Sequence, residues 1–234
     1  MMEITIKDTG LFGHADITLN DGETFMSESG ALFKMSSNTR LDTSSRKRKG
    51  GGFLKAAKRL LAGENFFLTE YGSKDGQPIH LSLAPVLPGD CMSFDADGAS
   101  RWYCTGGSWL GCSSGVSIDT EFAGMGKAIA GGEGLFYIVC SGTGKILVSA
   151  FGRIHKVDVD GDFNVDSGHV VAYQDSLTVA AGVATGSGVS GFFTSSLVGE
   201  GFVMKFSGKG TVYVQSHAPN QFGRSVGPTL PPRS

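Results

Sequence analysis

Short apolar runs, many of them alternating with polar residues, fill most of this chain, and glycine, serine or aspartate separates them. "KILVS" at 145–149, "FVMKF" at 202–206 and "TVYVQS" at 211–216 are typical. A period of two puts successive side chains on opposite faces of an extended backbone, so these runs predict β-strands with one buried face. One stretch departs from the pattern. In "SRKRKGGGFLKAAKRLLAGE", Phe53, Ala56, Ala57, Leu60 and Leu61 recur at helical spacing, with Lys55, Lys58 and Arg59 opposite them. That predicts an amphipathic helix of about two turns, closed by Gly63 as its C-cap. The expected class is all-β with one short helix.

The strand pattern repeats. "GENFFLTEYGSKDGQPIHLS", "GEGLFYIVCSGTGKILVS" and "GEGFVMKFSGKGTVYVQS" begin at Gly63, Gly132 and Gly199. Their Gly-Glu pairs, Gly63–Glu64, Gly132–Glu133 and Gly199–Glu200, come at intervals of 69 and 67 residues. Each phrase reads as a strand, a glycine-rich hairpin turn and a second strand, because glycine accepts the positive φ of tight turns. Weaker echoes precede them at "NDGETFMSESGAL", "LPGDCMSFDADGA" and "VDSGHVVAYQDSL". The reading is one domain over 1–234, with repeats near 11–85, 86–151 and 152–219. Units this small expose too much sheet edge alone and must cover one another. A Pro-rich tail at 220–234 is expected to be extended.

Composition narrows the function. Glycine makes up 36 of 234 residues, without a collagen period. A net charge of −2 provides no whole-molecule field for nucleic acid or anionic membrane, so an electrostatic partner would need a local patch. Arg46, Lys47, Arg48, Lys49, Lys55, Lys58 and Arg59 supply one, seven cations within fourteen residues. No apolar run approaches a membrane span, and "MMEITIKDTGLFG" places charges where a signal peptide would be apolar. The expected location is intracellular. Cys91, Cys104, Cys112 and Cys140 lack zinc-site spacing and read as buried free thiols.

Candidate chemistry is sparse. The repeated glutamates could form a ring of carboxylates, but a repeated position after glycine fits a turn acceptor better. Asp166 and His169 could pair as carboxylate and imidazole; a turn-stabilising role fits them better. Ser113 in "GCSSG" has strand surroundings, whereas a nucleophile elbow needs a strand–turn–helix. "SGTGK" lacks the rest of a phosphate loop. No catalytic residue, metal site or cofactor is assigned.

Together "GGGFLKAAKRLLAGENFFLTEY", "HLSLAPVLPGD", "VDSGHVVAY" and "GEGFVMKFSGKGTVYVQS" resemble the mitochondrial-biogenesis (altered inheritance of mitochondria) family and its bacterial relatives. The likeness runs from about Glu23 to Ser216, in order. It implies three TRAP-like β-sandwich units per chain, a homotrimer of nine units in a ring, and no enzymatic activity. This chain begins without the transit peptide of mitochondrial members, which implies a bacterial, cytoplasmic relative. The function expected is a scaffold or interaction protein that meets a protein or anionic membrane surface through its basic segment. A small-ligand or nucleic-acid binder using clefts between units is the alternative.

Overall fold

The computed structural model describes residues 1–42, 68–122, 136–185, 188–190 and 202–231. Within them the chain is predominantly β, built of large antiparallel sheets. The first strands are β1 (Glu3–Lys7), β2 (His14–Leu19), β3 (Phe25–Glu28), β4 (Leu32–Met35), β5 (Thr39–Asp42), β6 (Leu68–Ser73) and β7 (Ile79–Leu83). Next come β8 (Cys91–Asp97), β9 (Trp102–Thr105), β10 (Trp109–Ser113), β11 (Val116–Phe122) and β12 (Phe136–Ser149). β13 (Ile154–Asp166), β14 (Val170–Gln174), β15 (Leu177–Thr185), β16 (Gly188–Ser190) and β17 (Phe202–Gln215) complete the set, followed by helix α1 (Pro219–Val226).

Pairing arranges these strands in four layers. Layer 1 is β1-β2-β7-β4. Layer 2 runs β5-β6-β3-β10, then the second half of β12, then β8. Layer 3 runs β11, the first half of β12, β9, β14, β17 and the first half of β13. Layer 4 holds the second half of β13 with the first half of β17, β15 and β16.

Three apolar cores lie between the layers. Ile17, Leu81 and Leu83 of layer 1 meet Phe25, Tyr71, Leu110 and Leu147 of layer 2. Trp109, Cys112, Ile146 and Val148 meet Trp102, Cys104, Ile138 and Cys140 of layer 3. Tyr137, Val139 and Val212 meet Val165, Met204 and Phe206 of layer 4. Each fully buried aliphatic side chain contributes roughly 1.5–3 kcal/mol, so the alternation read from the sequence is what holds the layers together. Both faces of layers 2 and 3 are covered, which is why "FYIVC" is apolar at every position.

The expected hairpins in the three repeated phrases are not there. β6 pairs with β3 and β5, whereas β7 pairs with β2 and β4, so they belong to different layers. In the other two phrases a single strand of 14 residues crosses between layers. "SGTG" bends β12 rather than reversing it. Gly142 and Gly144 have φ of 106° and 153°, and a Cβ on Gly142 would lie 2.5 Å from the Gly115 carbonyl oxygen. A side chain would fill the corner that lets the strand change layer.

Two further expectations change. The echoes fall on β3, β8 and β14, whose partners differ: β6 and β10 for β3, β12 alone for β8, β17 and β9 for β14. The tail expected to be extended begins instead as α1. Pro219 starts the helix where a missing N–H costs nothing, and Phe222 packs on Phe151 with ring centroids 5.0 Å apart. The predicted helix around Phe53–Leu61 lies outside the described residues.

Candidate interaction surfaces

Arg46, Lys47, Arg48, Lys49, Lys55, Lys58 and Arg59 lie outside the described residues, as do Gly63, Glu64, Gly132, Glu133, Gly199 and Glu200. Other candidates have structural partners. Asp166 accepts from Gly168 N–H at 2.8 Å and caps the 3₁₀ turn Ser167–His169. His169 Nδ1 lies 2.8 Å from the Gln215 carbonyl, so the two side chains serve a turn and a strand end. Ser113 Oγ accepts from Lys145 N–H at 2.9 Å. All four cysteines are buried and outside any disulfide. Burial pushes the Cys91 thiol up to about 12, with Asp90 adding to the effect, so it stays protonated.

The informative geometry lies where strands meet edge to edge inside layers 2 and 3. β10 runs antiparallel to β3, with Cys112 opposite Met26 and Gly111 opposite Ser27. β14 meets β9 in the same sense, with Tyr173 opposite Tyr103 and Ala172 opposite Cys104. At this second seam Tyr103 and Tyr173 stack at 5.1 Å with planes 7° apart. The seam positions are buried: Leu110, Cys112, Val171 and Tyr173 are at most 7% exposed.

Both ends of the stack carry strands with an open edge among the described residues. In layer 1 these are β1 and β4, and on β4 Phe33 is 54% and Met35 45% exposed. In layer 4 they are β16 and the second half of β13, the latter on a strand bearing Asp160, Asp162 and Asp166. The outer face of layer 1 forms an open groove of about 430 Å³ lined by Asp16, Thr18, Lys34, Ser36, His80 and Ser82, among others. Asp16 accepts a short hydrogen bond from Ser82 Oγ and lies 3.4 Å from Lys34 Nζ. His80 Nδ1 and Thr18 Oγ1 are 3.0 Å apart. On the far end, the Lys205 ammonium, 2.6 Å from Asp162, and the Ser207 hydroxyl hold the Asp162 carboxyl below its ordinary range.

The Ser82 hydroxyl is the main cause that holds the Asp16 carboxyl below its ordinary value; Lys34 and His14 add to it and burial opposes it. A depressed carboxyl stabilises the fold above its unfolded value, near 3.9, and loses that contribution as pH falls through the folded value. Ser82→Ala is therefore expected to lower the urea midpoint at about pH 5. The gap to wild type should be narrower at about pH 2.5, because the contribution is lost as Asp16 takes up its proton. An equal gap at both pH values would contradict the assignment.

Among the described residues no three His, Cys, Asp or Glu side chains gather into a metal-holding group. No helix there is long and apolar enough to cross a membrane. Sequence reasoning missed the open edges of β4 and β13, because an edge is defined by absent partners. The exposed apolar pair in "ALFKM" was its one available trace.

A family model described as mitochondrial biogenesis AIM24 matches residues 4–217. The chain is 30% identical over 239 residues to an uncharacterised protein of Streptococcus pyogenes serotype M6, covering 100% of this chain and 93% of that protein. It also superposes on the crystal structure of a Streptococcus pyogenes protein with a TM-score of 0.77 at 27% identity. That match covers 98% of this chain and 100% of the other.

Proposed function

This chain belongs to the mitochondrial biogenesis AIM24 family, and from that premise we propose that it is a non-enzymatic scaffold of the bacterial cytoplasm. Three tandem TRAP-like units would form the chain, and three chains a homotrimer. The basic segment Arg46–Lys49, with Lys55, Lys58 and Arg59, would face a protein or anionic membrane surface.

The observation that carries this reading is a pairing scheme met three times. β7, the second half of β12 and the second half of β17 are each flanked by two strands, and the second flank always carries a register shift. That shift falls between Leu32 and Lys34, between Trp109 and Gly111, and between Val170 and Ala172. In the neighbouring layer an aromatic residue recurs: Phe25 opposite Tyr71, Trp102 opposite Cys140, Phe163 opposite Phe206. A body of joined units with open edges at both ends is suited to holding other surfaces, its own copies included.

Native mass spectrometry of the full chain is expected to give three times 24.4 kDa. Each basic residue near an anionic surface contributes about 1 kcal/mol, so Lys55→Glu, Lys58→Glu and Arg59→Glu together should weaken binding to phosphatidylserine vesicles more than tenfold. A monomeric mass would end the trimer reading, and unchanged vesicle binding would remove the basic segment from it.

A further inference from the structure

The seams inside the chain specify a third seam that one chain cannot make. At each internal seam a strand with a shifted register against its own centre strand joins the edge of the preceding unit. β10 does so on β3, and β14 on β9. β4 carries the same shift against β7, between Leu32 and Lys34, yet has no strand on its other side among the described residues. The receiving strands β3 and β9 each set an aromatic residue, Phe25 or Trp102, opposite Tyr71 or Cys140. The second half of β13 does the same with Phe163 opposite Phe206, and its outer edge is open among the described residues. Donor and acceptor of the missing seam therefore exist, but they sit in layers 1 and 4, at opposite ends of the stack.

We infer that β4 of one copy pairs antiparallel with residues 161–166 of β13 in a second copy, with Met35 opposite Asn164, Lys34 opposite Val165 and Ser36 opposite Phe163. This rests on the assembly reading above and adds the surfaces and their register. The register follows from position. Met35 corresponds to Cys112 and Tyr173, which face Met26 and Tyr103, and Asn164 corresponds to those two acceptors.

Exposure follows the same logic. Leu110, Cys112, Val171 and Tyr173 are 2%, 0%, 0% and 7% exposed in the seams, against 54% and 45% for Phe33 and Met35 at the open edge. Docking places Phe33 over the neighbour's third core beside Phe163 and Phe206, as Leu110 covers the first core and Val171 the second. At both internal seams a register-shifted strand meets a receiving strand and never another like itself, which favours this approach over β4 meeting β4. An open edge bearing apolar side chains is otherwise an aggregation hazard, and head-to-tail pairing removes it.

The test uses two full-length single variants, Met35→Cys and Asn164→Cys, mixed in equal amounts under mild oxidation. Opposed residues in an antiparallel pair have Cβ atoms roughly 4.5–5.5 Å apart, close enough for a disulfide after small adjustment. The four native thiols are buried and should stay silent. The mixture is expected to yield a covalent dimer as the main product, while each variant alone stays at monomer mass on a non-reducing gel. A second mixture, Met35→Cys with Asp160→Cys, is offset by four residues, roughly 13 Å, and should not cross-link. A multi-chain native mass without the Met35–Asn164 product, or equal product from the offset mixture, overturns this seam and leaves the assembly reading standing. A monomeric native mass for the unmodified chain overturns both.

Discussion

Trp109→Ala is expected to cost about 3–5 kcal/mol of stability, the largest loss from any single truncation among the described residues. Trp109 is fully buried in the second core, where β10 of layer 2 faces layer 3. Cys112, Ile146 and Val148 share its layer, and Trp102, Cys104 and Cys140 share the core. Removing the indole deletes the most voluminous fully buried side chain and leaves a cavity between two sheets whose hydrogen bonds resist collapse. Trp109→Phe keeps most of the volume and should lose less than half as much. Urea unfolding followed by circular dichroism measures both. A loss below about 1 kcal/mol for the alanine variant would mean that the second core does not hold layers 2 and 3 together.

Gly89→Ala should be nearly as damaging, at roughly 3 kcal/mol, although it adds only one methyl group. A Cβ at Gly89 would sit 2.0 Å from the Ala150 carbonyl oxygen and 2.5 Å from the Gly152 amide nitrogen. Both are backbone atoms, so no side chain can swing away. Gly89 and Gly152 form a parallel bridge, and the hydrogen bonds around it run in both directions. Asp90 N–H donates to Gly152 at 2.7 Å, Ala150 N–H to Asp90 at 2.9 Å, and Gly13 N–H to Gly89 at 2.7 Å. The Asp90 side chain extends the knot by accepting from Gly10 N–H and from Ile154 N–H. Forcing the segments apart weakens all of these together. Gly107→Ala is the control, because its Cβ would meet nothing within 4 Å, and it should change stability by less than about 0.5 kcal/mol. Equal effects at the two glycines would show that the close approach of 89 and 150 carries no energy.

The all-β class was legible because alternation and β-branched content need no knowledge of partners. Glycine was harder to interpret. "SGTG" carries the residues of a hairpin turn, yet the same positive φ also bends a continuous strand, and only the partners on each side distinguish the two. Residues 136–142 pair with β11 and β9, whereas 143–149 pair with β8 and β10. No local pattern encodes that change. The weak echoes misled for a related reason. A glycine, a polar residue and a short apolar run occur before many strands, so β3, β8 and β14 look alike while occupying different places. In the tail, prolines suggested an extended chain, but Pro219 starts a helix and Pro228 follows its end, positions where proline is tolerated. As for the interaction surfaces, the basic segment could be read directly from charge. The open edges of β4 and β13 could not, since apolar strand residues such as Leu110 and Tyr173 are buried while Phe33 and Met35 are exposed, and only the partners on each side decide which.

The way β12 and β17 each cross between layers has a further consequence for any attempt to cut the molecule into pieces. A fragment ending after β12 keeps β9 but loses β14, and strips the cover from Tyr103, Tyr137 and Val139. One starting at β13 keeps β14 without the edge it joins. Strands that cross between layers tie layers 2, 3 and 4 into one body, so a cut between β12 and β13 leaves each part with an uncovered face.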